Sequence, residues 1–232
     1  VYIITSAKDV STVYRNVEDF GFNQMVKDVL IRFGASPEGV ARVWDPPQSK
    51  SGKPSGNDRS SHSCKTISNH CEDIMKIQLH PGPRLEKLQD VLLTHLHRTL
   101  SWDSIPPALI IKETATEKIV SLEKWVQCAL LEVVTRSFYG DAIFKIEPSF
   151  LEIFARFDDS GWKLMYQVPS ALSQDMLTAK AICQIAFDKY FDLPSHERSD
   201  ASWMIQNLEL ELRDAGSSIK DISAYLLLLY WA

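Results

Sequence analysis

The 232-residue sequence predicts a mainly α-helical fold, and three observations carry that prediction. Apolar residues recur at spacings of three and four through most of the chain, which is the period of one helix face. Ser, Gly and Pro stand where those stretches would begin and end. Only two short segments, Val1–Thr5 (VYIIT) and Leu109–Ile111, have the β-branched and aromatic density of strands.

With 45% hydrophobic and 10% aromatic residues, the chain has the composition of a globular protein with a sizeable core. Its formal net charge of −5 offers no general attraction to phosphate backbones, and no basic cluster replaces one, so nucleic acid is not an expected partner. Neither a signal-like segment nor an apolar run of membrane length occurs, and the chain by itself reads as soluble. The four cysteines, Cys64, Cys71, Cys128 and Cys183, are too few and scattered for a disulfide scaffold and are expected as free thiols.

In chain order, the Val1–Thr5 strand is followed by a helix opened by Ser6, with Val10, Val13 and Tyr14 on its apolar face. The next helix carries Met25, Val26, Val29, Leu30 and Phe33 and is closed by Gly34. Residues 45–63 (DPPQSKSGKPSGNDRSSHS) lack the apolar content to order themselves and predict a flexible loop. Beyond it, His and Cys are frequent (His62, Cys64, His70, Cys71, His80, His95, His97), but the spacing is wrong for zinc. His70 and Cys71 are adjacent, and His95 and His97 would stand about 200° apart around a helix.

Leu85, Leu88, Leu92, Leu93, Leu96 and Leu100 then follow helical spacing and predict a core-facing helix, broken by Pro106-Pro107. From Ser121 to Tyr139 an apolar stripe of Leu122, Trp125, Val126, Ala129, Leu130, Val133, Val134 and Phe138 ends at Gly140. Glu132 and Arg136 make an i,i+4 pair on it. A helix starts near Pro148 and carries Phe150, Leu151, Phe154 and Phe157. After a break near Gly161, Ser173 opens another with Met176, Ala179, Cys183, Ala186, Phe187 and Tyr190, stopped by Pro194. Residues Trp203–Leu212 form a shorter helix before Gly216.

The final stretch, Asp221–Ala232 (DISAYLLLLYWA), is the opening of a further helix, with Ser218 and Asp221 in capping-box register. From Ala224 onward it is apolar on every side, which places it in a core. Its nine apolar residues fall far short of the roughly 20 that span a bilayer. No phosphate-binding loop, dinucleotide fingerprint, nucleophile elbow or His-Glu-x-x-His occurs, and Asp158-Asp159 reads as a solvated bend.

The segment Tyr225-Leu-Leu-Leu-Leu-Tyr-Trp-Ala232 resembles the opening of the long central helix of the cytochrome P-450 haem-thiolate monooxygenases. Thr135–Gly140 (TRSFYG) is similar to the end of a helix in that family, and Lys76–Gly82 (KIQLHPG) to the end of the helix that follows the haem edge. The greatest similarity is to the branch containing cholesterol 7-alpha-hydroxylase and prostacyclin synthase. The resemblance implies that residues 1–232 are the N-terminal half of such a fold, with residues 221–232 as the start of its central helix. It implies further that Lys76 contacts a haem propionate, although Glu72 stands where the family usually has Trp, and Lys76 also reads as a solvated surface cation. Phe22, Phe157, Trp162 and Trp231 would line a substrate channel, joined by Phe154 and Tyr166; the same aromatics also read as core.

The implied cofactor is haem, held by a cysteine loop (Phe-x-x-Gly-x-x-x-Cys-x-Gly) that these residues lack, so haem is not expected to bind this chain alone and no catalytic residue is assigned. The implied partners are the C-terminal half of the same protein, an NADPH-dependent reductase and a lipophilic small molecule, and the implied location is the endoplasmic reticulum membrane. The alternative reading is a non-catalytic helical binding or scaffold domain, in which DISAYLLLLYWA docks into a partner.

Overall fold

The structure is a computed structural model that describes residues 4–16, 23–45 and 65–232. The predicted strand Val1–Thr5 lies mostly outside the described residues, and Ile4 and Thr5 belong to no regular element. Of the expected loop 45–63 only Asp45 is described; it follows a helix end and pairs with Lys27 at 3.3 Å.

The described chain is mainly helical. Its helices in order are α1 (Ala7–Arg15), α2 (Asn23–Phe33), α3 (Pro37–Trp44), α4 (Ile67–Leu79) and α5 (Pro83–Thr99). A two-stranded antiparallel hairpin, β1 (Ile110–Glu113) with β2 (Lys118–Val120), follows. Then come α6 (Leu122–Tyr139), α7 (Ala142–Ile146), α8 (Phe150–Ser160), α9 (Trp162–Met165), α10 (Gln174–Asp192), α11 (Trp203–Asp214) and α12 (Ile219–Trp231).

The core forms where α10 packs against α8 and α12, while α12 also meets α2 and α11. Every residue of the predicted α10 face is buried: Met176, Ala179, Cys183, Ala186, Phe187 and Tyr190. Tyr139 sits at the centre. Its hydroxyl donates to the Leu226 carbonyl (3.1 Å), its carbonyl accepts from the Tyr190 hydroxyl (2.8 Å), and its ring packs edge-on against Phe187 and Tyr230. One residue thereby joins α6, α10 and α12, its buried hydroxyl and carbonyl both partnered.

Two expected core faces are corrected. On α5, Leu88 is buried but Leu93 and Leu100 are exposed, because the helix lies at the periphery against α4 and α6. On α6 the stripe changes along the helix: Ala129 and Val133 are buried, whereas Leu122 is 70% exposed and Val126 and Leu130 also face outward. The C-terminal half of α6 is enclosed instead, and even Thr135 and Ser137 are buried. Ser137 tolerates this by returning its hydroxyl to the Val133 carbonyl (2.7 Å), as helical Ser does when water is absent. The Glu132–Arg136 pair forms as expected, at 2.9 Å.

Candidate apolar binding site

The start of α12 is fixed by one carboxylate. Ser218 and Asp221 form the predicted capping box, and Asp221 also accepts a hydrogen bond from the Ser36 amide at 2.7 Å, just before α3. Burial raises the pKa of this carboxyl, but the hydrogen bonds from Ser218 and Ser36 outweigh it and leave the pKa below the usual carboxylate value. Gly39 of α3 packs directly on the Asp221 carboxyl, where a β-carbon would stand only 2.4 Å from Cγ. The corner between α2 and α3 is thereby tied to α12.

A second set of polar contacts holds the same C-terminal end of α2. Gly34 ends the helix at φ 103°, a conformation that disfavours side chains. Beside it, Arg32 donates to the Leu164 carbonyl (3.2 Å) and Lys180 donates to the Arg32 carbonyl (2.6 Å). Burial, with Lys220 nearby, lowers the Lys180 pKa.

Along α2, on the N-terminal side of both anchors, lies an apolar cavity of about 270 Å³. Its walls are Met25, Val26, Val29 and Leu30 from α2, Trp44 from α3, Met165 from α9, and Tyr225, Leu228, Leu229, Trp231 and Ala232 at the end of α12. Val29 and Leu30 also belong to the core, but Met25 stays exposed, so the apolar side of α2 is wider than its neighbours cover. The Tyr225 hydroxyl is turned to the Cys71 thiol. Burial pushes that thiol up to about 11, partly offset by the hydrogen bond from Tyr225. Burial likewise raises the Tyr225 hydroxyl, reinforced by Cys71, so neither group ionises near neutral pH.

Of the residues assigned from sequence, Trp231 lines this cavity. Its indole donates to Asp158 at 3.0 Å, and its ring packs on Phe33 and Phe157 at 5.5 and 5.8 Å. Phe157 is fully buried behind Trp231, and Phe154 is core as well. Trp162, 53% exposed, and Tyr166 pair on the outer surface 6.5 Å apart, with Trp162 on a separate groove. Phe22 lies outside the described residues. Lys76 is a surface residue paired with Glu72 at 2.6 Å, and that pairing raises its pKa.

Sequence reasoning missed Trp44, Met165, Tyr225, Leu228 and Leu229 as cavity residues. The available signal was the surplus of apolar surface on two helices: the α2 face begins at Met25, and α12 is apolar all round.

Cys71, Cys128 and Cys183 are free. No group of three or more His, Cys, Asp or Glu side chains among the described residues is arranged to hold a metal ion. His70 instead meets Glu211 at 2.8 Å, and His95 lies beside Arg98. No helix among the described residues is long and apolar enough to cross a membrane. Comparison of the chain with protein-family models, with characterised proteins and with solved structures gives no match.

Proposed function

We propose that the chain is the N-terminal portion of a cytochrome P-450 haem-thiolate monooxygenase and that its apolar cavity receives part of a lipophilic substrate. The observation that carries this reading is the cavity at the end of α12, the segment on which the family resemblance rests. Its volume, about 270 Å³, is near the lower end for small-molecule sites, roughly 300–1,000 Å³, which suits one part of a larger ligand. Each methylene transferred there from water contributes about 0.8 kcal/mol. With Tyr225 un-ionised and turned to Cys71, the walls favour hydrocarbon over charged ligands.

The described residues do not fit an axial haem ligand. Burial pushes the Cys71 thiol up to about 11 and the Cys183 thiol up to about 12, and it also raises Cys128, whereas ligation needs a thiolate. Lys76 is already engaged by Glu72. The reading therefore assigns haem, its thiolate and the reductase-fed oxygen chemistry to a C-terminal half of the same protein. Residence at the endoplasmic reticulum membrane belongs to the same proposal.

A fluorescence titration with a dansyl-labelled long-chain fatty acid tests the cavity. Saturable binding is expected, weakened at least tenfold by Leu229→Lys, which places a charge in the wall. No saturable binding, or binding indifferent to Leu229→Lys, rejects the site. The family is tested separately by reading the transcript beyond the codon for Ala232. A Phe-x-x-Gly-x-x-x-Cys-x-Gly loop in frame supports the monooxygenase, and a continuation without one supports the helical binding domain.

A further inference from the structure

We propose that the groove between the start of α5 and the segment leading into α11 binds a small phosphate monoester. This groove, about 420 Å³, is separate from the apolar cavity and shares no lining residue with it. Its size is more than ten times the roughly 30 Å³ share of one water molecule, leaving room for an anion with an organic group attached.

Three observations converge on that chemistry. Gln78 lines the groove and is only 2% exposed; its Nε2 donates to the Arg84 carbonyl at 2.8 Å, but its Oε1 has no donor among the described residues. An orphaned buried amide oxygen costs free energy unless something donates to it. Arg84 and Lys87, also in the lining, have no carboxylate partner among the described residues. The Arg84 guanidinium is instead held over the Trp203 ring, 3.6 Å from its centroid, which orients it without neutralising it. Finally, α5 begins at this groove after Gly82, which has no side chain to cap its first amides, so the positive end of a 17-residue helix adds to the two cations.

The acceptors narrow the ligand. Asp200 lines the same groove, its carboxylate accepting from the Asp141 amide at 2.7 Å. That carboxylate is packed on Gly140, so the acceptor without a donor in the lining is Gln78 Oε1. A ligand must therefore bring negative charge for Arg84 and Lys87 and also a proton donor. A phosphate monoester, whose second pKa is about 6, carries both as its monoanion, the main form below that pH. Sulfate carries charge alone.

Calorimetric titration of the 232-residue chain at pH 5.5, in a constant chloride background, distinguishes the possibilities. Glycerol phosphate should bind saturably at one site, more tightly than inorganic phosphate, and sulfate should be weakest. Arg84→Ala and Lys87→Ala should each weaken glycerol phosphate about tenfold or more, whereas Lys145→Ala, elsewhere on the surface, should leave it unchanged. Gln78→Leu should keep anion binding but abolish the preference for inorganic phosphate over sulfate. Arg84 and Lys87 are exposed, so their variants report on the site even if Gln78→Leu fails to fold. Inorganic phosphate binding as tightly as glycerol phosphate would remove the organic part of the ligand and overturn the monoester assignment. Absence of saturable phosphate binding, or equal weakening by all three cation variants, would overturn the site itself.

Discussion

Replacing Asp221 with Ala should cost the protein about 2–3 kcal/mol, because one carboxylate serves two helix starts. It accepts from the Ser36 amide at 2.7 Å and the Ser218 hydroxyl at 2.6 Å, with the Ser218 amide at 3.4 Å as a weaker third. Hydrogen bonds to a charged group contribute about 1.5–3 kcal/mol each, and water can replace part of this because Ser218 is exposed and Ser36 half-buried. Loss of a helix cap alone costs about 0.5–2 kcal/mol. The pH dependence supplies the sharper test. The folded-state pKa of Asp221 is lowered, so its contribution is present above the unfolded carboxylate value near 3.9 and is lost as pH falls through the folded value. Urea unfolding followed by circular dichroism from pH 3 to pH 8 should show a constant gap between the native chain and Asp221→Ala down to about pH 5, narrowing below pH 4. Asp221→Asn should fall between them, retaining one acceptor without the charge. A gap below about 0.5 kcal/mol at pH 7, or one that stays constant to pH 3, would refute the assignment.

Two further substitutions probe packing. Glu209 is buried between Arg198, which it meets at 2.6 and 2.9 Å, and Arg213 at 2.8 Å; burial raises its pKa, but the two cations overcome this and hold it low. Glu209→Gln should therefore cost about 3–5 kcal/mol by leaving Arg198 buried without its counter-charge, well beyond Arg213→Ala in the same denaturation assay; equal costs would disprove the buried-pair account. At Gly161, the capping residue between α8 and α9, a β-carbon would stand 2.8 Å from the Trp231 ring, so Gly161→Ala should lose about 1–2 kcal/mol in thermal melts. A stabilised Gly161→Ala variant would mean that Trp231 does not pack there.

What was legible in the sequence was whatever neighbouring residues decide among themselves. The α10 face, the Gly34 and Gly140 stops, the Ser218–Asp221 box and the Glu132–Arg136 pair are all set within a turn or two of chain. Features set across the chain were not legible. The second partner of Asp221, Ser36, is 185 residues away, and nothing local to either announces the other. Arg198 stands in the polar run Ser195–Arg198 and reads as surface, yet it is buried because Glu209 is displayed on the facing side of α11. Trp162 and Trp231 look alike as isolated aromatics. One faces outward and the other closes a cavity because only Trp231 has Asp158 and Gly161 placed to receive it.

The uninterrupted apolar run Ala224–Ala232 has a structural consequence beyond its place in the core. A helix has one circumference, and α12 shares its own among α10, α11 and α2. Leu226 and Leu227 disappear completely into those contacts, while Leu228, Leu229, Tyr230 and Trp231 keep part of their surface uncovered. Where α2 approaches, the Asp221–Ser36 and Arg32–Leu164 contacts hold the facing backbones at fixed positions, so the side chains cannot collapse fully onto one another. The apolar surface left over becomes the wall of the cavity at Leu228, Leu229 and Trp231. Leu227 is thus a residue of folding, and Leu229, two positions away on the same helix, is a residue of the site. A charge introduced at Leu227 would enter the core, whereas one at Leu229 enters the cavity, which is why the binding test rests on Leu229.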